Sequence, residues 1–336
     1  MSQNPLISVV MPVHNAGEYL PVAVESILQQ SYPHFELIIV DDHSTDNAIS
    51  NIQSGDTRLK IISASQRGVV NAMQQGVKQT SGDFIARMDG DDEALPNRLQ
   101  VQLDYLHQYP TIGIVAAQVE IFSDEEVAEG FQLYQAWLNS ICTTEDIKRE
   151  LFIESPLPNP TIMFRRDIYQ QLGGYHDSEW AEDYDCWLRA ESLNIKMAKP
   201  DGILLRWRDH DNRLTRTDDR YSINNFMRAK AYYLAKSQLE NKDVIIWGTG
   251  PTGIAFYELL QEHDIKVSGF IDVHPRRIGG VKRGLPVWSM DKVGVMDPLK
   301  DEIIIGAVGS RGAREKIRTY LKESGLEEGQ DFIFVA

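Results

Sequence analysis

Short, β-branched apolar segments recur between helical stretches in the first hundred residues, and this alternation constrains the chain more than any other feature. Ile7–Met11 (ISVVM), Leu37–Val40 (LIIV), Leu59–Ile62 and Phe84–Met88 each read as a buried strand. Between them Leu20, Val24, Ile27 and Leu28 fall at helical spacing within Tyr19–Gln30, and a second helical stretch runs through Val77. Such alternation demands right-handed crossovers and a mostly parallel α/β sheet. Two of the strands end in acids, DDHSTD after Val40 and MDGDD from Met88. Open α/β sheets bind ligands at that end.

The pattern loosens between Gln118 and Pro160, then strand character resumes at Thr161–Phe164 and Ile203–Trp207 around a helix near Glu182–Leu193. One long helix is predicted over about 221–239. Beyond it Val244–Trp247 and GTGPTG start a fresh strand–turn–helix pattern. With 336 residues, 42% of them hydrophobic, the chain has the length for two domains with cores of their own. The expected division is 1–239 and 240–336.

Charge follows the same division. The first 240 residues hold 35 acidic against 21 basic side chains and the remainder 14 against 13, so nearly all of the net −15 falls on the first part. Such a surface repels nucleic acid and anionic membranes at long range. To bind a phosphorylated ligand it needs a divalent cation or a local basic cluster. The two cysteines, Cys142 and Cys186, lack CxxC spacing, which argues against a disulfide framework or zinc site and suits a reducing compartment. No apolar run approaches the ~20 residues of a bilayer span, and no basic leader opens the sequence, so a cytoplasmic location is expected. Peripheral membrane association stays compatible with this reading.

Three clusters carry candidate chemistry. In Met88-Asp89-Gly90-Asp91-Asp92, Asp89 and Asp91 lie two residues apart in a strand-terminal turn and reach one hard cation from the same side. An Asx-rich turn with solvated acids explains the triplet equally well. In Asp41-Asp42-His43-Ser44 a carboxylate is placed to accept from a base N–H or ribose hydroxyl, with helix capping as the competing role. In the segment Trp180–Arg189, a helical reading puts Tyr184, Trp187 and Leu188 on the apolar face, with Glu182, Asp185 and Arg189 outward. Asp183 falls on the flank of that face, where aromatic surface disfavours its charge, as a general base requires.

Together, ISVVMPVHNAGEYLPVAVESILQQSYPHFELIIVDDHSTD, GDFIARMDGDDEALPNRL and NPTIMFRRDIYQQLGGYHDSEWAEDYDCWLRA resemble inverting glycosyltransferases of family 2, which have a GT-A fold. The resemblance spans about residues 5–220. It implies that Pro12, Val13, His14, Asn15, Glu18 and Asp42 surround the nucleotide, with Gln66, Arg67, Arg87 and Gly90 also on the donor side. It implies too that Asp89 and Asp91 form a DxD motif holding Mg²⁺ or Mn²⁺ on the donor diphosphate. Asp183, second acid of an "ED" pair, matches the catalytic base, and His210 matches a histidine that some relatives place near the metal. The implied donor is a nucleotide sugar, specifically a UDP-sugar, and the acceptor a hydroxyl of a glycan, a lipid-linked molecule or a protein. His14 and Asn159 depart from the commoner residues at their positions, which touches specificity rather than the metal or base. Arg67, Arg87, Arg213 and Arg216 are candidates for ion pairing.

In the last hundred residues Gly248, Gly250 and Gly253 form GxGxxG after a strand, and Asp272 ends the next strand. The segment resembles small Rossmann-like lobes attached to sugar-modifying enzymes. Its expected ligand is a nucleotide, NAD-like or a nucleotide sugar, against the alternative of an empty structural lobe. Three rivals follow from these features. A sugar nucleotidyltransferase wants a basic Gly-rich loop that PVHNAGEYL does not supply. The others are an NAD-dependent enzyme led by the C-terminal lobe and a nucleotide-sugar sensor, the latter opposed by intact Asp89, Asp91 and Asp183.

Overall fold

The computed structural model describes residues 4–52, 55–124, 126–295 and 301–336. It divides into two compact units, Met1–Ile147 with Pro156–Asp218, and Lys148–Ser155 with Asp219–Ala336. The helix expected to link two domains falls in the second unit, as does the short segment 148–155. The compact units therefore part at Asp218/Asp219 rather than at Leu239/Glu240.

The first unit begins with strand β1 (Ile7–Val13), helix α1 (Tyr19–Leu28), β2 (Phe35–Asp41), β3 (Leu59–Ser63), α2 (Val69–Lys78) and β4 (Phe84–Arg87). It continues through β5 (Glu93–Ala94), α3 (Arg98–Gln108), β6 (Ile112–Val115), β7 (Gln118–Phe122), α4 (Glu129–Ser140) and the start of α5 (Thr144–Glu150), whose residues from Lys148 on count with the second unit. Then come β8 (Met163–Arg165), α6 (Arg166–Leu172), α7 (Glu182–Ser192), β9 (Lys196–Ala198), β10 (Ile203–Arg208) and α8 (Leu214–Thr217). Seven strands form one sheet in the order β3-β2-β1-β4-β8-β6-β9, in which only β8 runs antiparallel to its neighbours. A second sheet, β5-β10-β7, has three strands.

β1 runs on through Pro12 to Val13, beyond the apolar run Ile7–Met11 that marks it in the sequence. Its pairing with β4 ends at Val10↔Arg87, while pairing with β2 continues to Val13↔Asp41. Pro12 thus stands beyond the β4 edge, where its missing N–H removes no ladder bond on that side. Ile7, Val9, Met11, Leu37, Ile39, Phe84 and Ala86 of the central strands, with Leu20, Val24 and Ile27 of α1, belong to one buried cluster. Strands covered on both faces read as continuous apolar runs, which is how these segments looked in the sequence.

The second unit contains α9 (Ile223–Ala235), β11 (Asp243–Trp247), α10 (Pro251–Glu262), β12 (Val267–Ile271), β13 (Val281–Lys282), β14 (Leu285–Trp288), β15 (Glu302–Gly306), α11 (Ala313–Glu323) and β16 (Phe332–Phe334). Its sheet order is β13-β14-β12-β11-β15-β16, parallel except for the β13–β14 hairpin. That is a doubly wound order, with the strand preceding the glycine turn at its centre. Ile153 of the inserted segment packs in this unit's core with Ile245, Ile304 and Phe332. Lys230 of α9 fastens the insert, donating to Ile153 O at 2.7 Å and Val335 O at 3.0 Å. No helix among the described residues is long and apolar enough to cross a membrane.

Candidate functional site

Four segments of the first unit carry the candidate residues: the turns after β1, β2 and β4, and the first turn of α7. After β1 the backbone turns through Asn15, held at φ 52°, and Asn15 Oδ1 accepts from Thr45 N at 2.7 Å and Asp46 N at 3.3 Å. A left-handed asparagine is tolerable because its side chain bonds locally, and here it stitches the first strand-end loop to the second. His14 is exposed. Its Nε2 lies 3.0 Å from Arg67 Nη2 and 3.2 Å from Asn15 Nδ2, both obligatory donors, so Nε2 accepts and Nδ1–H donates to Asp42 O at 2.7 Å. Arg67 therefore reaches the turn after β1, although 53 residues separate it from His14.

Asp42 is buried, and both its carboxylate oxygens accept from Gly68 N at 2.9 Å. Gly68 precedes α2 with φ 124°, a conformation open to glycine. The side chain proposed for base or ribose thus anchors the start of a helix. Pro12 is half-buried and Val13 buried, while Glu18 and Gln66 stand exposed.

The turn after β4 is the most heavily charged part of the site. Arg87, 4% exposed, donates from Nε to Asp89 Oδ1 at 2.9 Å and lies over the Tyr175 ring at 5.5 Å. Burial opposes the guanidinium's charge, and Asp89, Tyr175 and Glu182 outweigh it. Burial raises the Asp89 carboxyl above its ordinary range, Arg87 counters, and neighbouring Asp91 adds to the rise. Gly90 lets this turn approach β1: a Cβ there would sit 3.2 Å from Val13 and 3.3 Å from Leu20.

Asp91 Oδ2 accepts from His210 Nε2 at 2.8 Å, and the His210 ring rests beside Tyr19. Asp92, which the motif reading left without a role, is 1% exposed and accepts Arg208 N at 2.8 Å. It ties the turn to the end of β10, two residues before His210. Burial above all, then Asp91 and Asp89, push its carboxyl well above the carboxylate range. Arg213 and Arg216 pair with acids of their own loop, Asp209 for both and Asp211 for Arg216.

Among the described residues, no group of three or more His, Cys, Asp or Glu side chains is disposed to hold a metal ion. Asp89 and Asp91 nevertheless fit a hard cation that takes one or two carboxylates and completes its shell with phosphate oxygens. His210 acts in this structure as a hydrogen-bond donor to Asp91, because an ionised carboxylate can only accept.

On α7 the outward placement expected of Glu182 and Asp185 does not hold. Both are buried, with Tyr184, Cys186, Trp187, Leu188 and Ala190. Asp185 accepts from Arg189 Nη2 at 2.8 Å and Trp180 Nε1 at 3.0 Å, and Arg189 also donates to the carbonyls of Leu172 and Gly174. Glu182 Oε1 faces Arg87 Nη1 at 3.5 Å and Asn159 Nδ2 at 3.4 Å. Asp183 is half-buried and accepts Tyr184 N at 2.7 Å. Burial and then the Glu182 charge push its carboxyl up to about 7, against Arg87 and the Tyr184 N–H.

In the second unit Gly248, Gly250 and Gly253 differ among themselves. A Cβ on Gly253 would meet Gly248 O at 2.0 Å, and one on Gly248 would meet Ala307 O at 2.8 Å, whereas Gly250 faces open space at the head of α10. Asp272 accepts Thr249 N at 3.2 Å, His274 N at 2.8 Å and Arg277 Nη1 at 3.0 Å, and the Thr249 hydroxyl as well. Burial alone would raise its carboxyl, and these donors outweigh it and hold it at about 2.

Residues 8–173 match the profile of Glycosyl transferase family 2. An uncharacterized glycosyltransferase of Haemophilus influenzae is 30% identical over 221 residues, covering 63% of this chain and 68% of that protein. The O-antigen biosynthesis glycosyltransferase WbnJ of Escherichia coli is 30% identical over 214 residues, covering 61% and 80%. Among solved structures, S. aureus TarS 1–349 in complex with UDP-GlcNAc superposes with TM-score 0.52 at 16% identity, covering 76% of this chain and 71% of that one. Mannosyltransferase PcManGT from Pyrobaculum calidifontis, in complex with GDP-Man and Mn²⁺, gives 0.51 at 17%, covering 77% and 69%. With the mixed α/β sheet and its strand-end acids, these likenesses establish that the chain belongs to glycosyltransferase family 2.

Proposed function

We propose that this glycosyltransferase is a metal-dependent, inverting enzyme that moves a sugar from a UDP-sugar to an acceptor hydroxyl during glycan assembly, with the cytoplasm as its compartment. The observation that carries the reading is the placement of Asp183, a half-buried carboxyl on the first turn of α7 whose neighbour Glu182 is tied through Arg87 to Asp89; burial and the Glu182 charge push the Asp183 carboxyl up to about 7. A general base works best when its pKa lies near the operating pH, and a carboxylate at its ordinary value is a weak one. Asp183 accepts the proton of the acceptor hydroxyl as that oxygen attacks the anomeric carbon from the face opposite the diphosphate. A single displacement of this kind inverts the anomeric configuration.

Asp89 and Asp91 would hold Mg²⁺ or Mn²⁺, which when bound neutralises charge on the departing diphosphate. Arg87 keeps Asp89 in place, and the His210 N–H keeps Asp91 in place. The neighbours' bound UDP-GlcNAc, and GDP-Man with Mn²⁺, support a nucleotide-sugar donor and a divalent metal. In the second unit, the open side of Gly250 favours a nucleotide and the fully engaged Asp272 favours a structural lobe.

The test is release of nucleoside diphosphate from a panel of UDP-, GDP- and dTDP-sugars, with and without EDTA. The expected result is turnover of a UDP-sugar, lost in chelator and restored by Mn²⁺ or Mg²⁺. Full turnover in chelator, with metal content checked, would sink the metal assignment, and selectivity for a GDP-sugar would replace the donor.

A further inference from the structure

Glu182 is the first residue of α7 and 1% exposed, an expensive place for a carboxylate. Helix stability alone does not require the burial, since an exposed acid in the first turn interacts favourably with the macrodipole at lower cost. A buried acid persists when it is paired, and this pairing is specific. Glu182 Oε1 faces Arg87 Nη1 at 3.5 Å, and Arg87 Nε donates to Asp89 Oδ1 at 2.9 Å. One guanidinium thus bridges the residue next to Asp183 and the first acid of the strand-end turn. A second strand of contacts braces the first. Asn159 Nδ2 donates to Glu182 Oε1 at 3.4 Å, the Tyr175 hydroxyl donates to Asn159 Oδ1 at 2.8 Å, and the Tyr175 ring lies beneath Arg87.

We propose that Glu182 is a positioning residue of this transferase: through Arg87 it fixes the first turn of α7, and with it Asp183, against the Asp89 turn. The inference rests on Asp183 being the base and Asp89 lying on the donor side. It gives the buried ion pair a purpose that fold stability does not supply, because buried pairs of this kind seldom add net stability. It also assigns Asn159, one of the departures from the commoner family pattern, to the same brace.

The arrangement has a signature in pH. The groups that interact electrostatically with Asp183 include Glu182 and Cys186 on its own helix, Arg87 from β4, Asp89 from the turn after β4, and Tyr175 from the segment before α7. Of these, Glu182 is the largest charged influence holding the Asp183 carboxyl up. Removing that charge lowers the pKa of Asp183. The base then deprotonates at lower pH, and the acid limb of the kcat profile moves the same way.

The experiment compares full-length Glu182→Gln and Glu182→Asp with the wild type. Turnover is followed on the nucleotide sugar that the panel selects, and affinity is measured calorimetrically with UDP and Mn²⁺. Glu182→Gln is expected to lower kcat by about 10- to 100-fold, as displaced reacting groups do, with UDP affinity and donor KM within about threefold. Its acid limb should move down by about one pH unit, and Glu182→Asp should return the limb toward the wild-type position. A readout free of turnover is the ¹³C carboxyl titration of Asp183, assigned by its loss in Asp183→Asn and shifted downward in Glu182→Gln.

A folded Glu182→Gln with wild-type kcat, or with the Asp183 titration unmoved, overturns the proposal. If that variant does not fold, the double substitution Arg87→Met with Glu182→Leu removes both buried charges together, and wild-type kcat there overturns it equally. Failure of the parent reading looks different: Asp183→Asn itself would then retain turnover.

Discussion

Carboxyls that follow parallel strands occur in both units, in different company. In the turn after β4, Asp89 has one arginine to set against burial and the neighbouring Asp91, and its carboxyl is raised. Asp92 keeps one buried oxygen without a hydrogen-bond partner among the described residues. After β12, Asp272 collects two donors from Thr249, one from the His274 backbone and one from Arg277, and is held at about 2. Position at a strand end is therefore not what makes an acid available for chemistry. The number of donors that the fold already supplies decides it: a saturated carboxylate is a structural clip, and an under-supplied one is free to respond to a cation, a phosphate or a proton.

The largest effect that sharpens this contrast is expected at Asp183. Asp183→Asn keeps the shape of the side chain and removes the carboxylate that the proposed mechanism uses as its base, so turnover should fall at least about a hundredfold. Binding of UDP with Mn²⁺ should change little, since the donor complex does not depend on that proton transfer. A folded variant with more than about a tenth of wild-type turnover would mean that the base lies elsewhere, and the first unit's raised acids would lose their catalytic interpretation.

Much of the first unit was legible because its signals are local. LIIV followed by DD, and FIARM followed by DGDD, announce buried strands and the acids at their ends within ten residues. What was not legible depends on partners far along the chain. The antiparallel β8 lies between β4 and β6, a register set by Phe84↔Arg165 and Ile114↔Phe164. The insert 148–155 lies with residues beyond Asp219, which no composition shift announces. Glu182 and Asp185 misled for a related reason. An amphipathic reading assumes that one helix face meets water, whereas α7 is covered on nearly all sides. Arg87, 95 residues earlier, is what makes burial of Glu182 tolerable. In the second unit the glycine turn was plain from GTGPTG, while the saturation of Asp272 hinges on Thr249 and Arg277 and had no sequence signal.

An intermediate effect is expected at Asp272, and it falls on stability. A carboxyl held at about 2, below its ordinary 3.8, contributes stability that is present above about pH 4 and lost as pH falls toward 2. Asp272→Asn should therefore weaken the second unit by about 2 kcal/mol near neutral pH. Differential scanning calorimetry should find the deficit at pH 7 and see it vanish as the wild type is acidified to about pH 2. Donor turnover by the first unit should stay within about twofold. A variant as stable as the wild type at pH 7 would remove the structural half of the comparison.

The smallest effect is expected at Gly250, which the fold treats unlike the other two glycines of the second unit's turn. Gly253→Ala would drive a Cβ to 2.0 Å from Gly248 O, and Gly248→Ala places one 2.8 Å from Ala307 O at φ 124°. Both collide with backbone that cannot step aside, so each should cost about 2 kcal/mol or more. Gly250 has an ordinary φ of −77° and nothing within 4 Å of an added Cβ. Gly250→Ala should leave the unfolding transition within about 0.5 kcal/mol of wild type. That near-silence makes it useful. A methyl group at this point obstructs only something arriving from solvent, because the fold itself leaves the space free. Calorimetry with NAD and with UDP-GlcNAc on wild type and Gly250→Ala then divides two outcomes. Binding by the wild type that the alanine abolishes makes the second unit a nucleotide-binding lobe despite its saturated acid. Heats absent from both proteins leave Asp272 and its glycine turn as scaffold, in contrast to the under-supplied acids of the first unit.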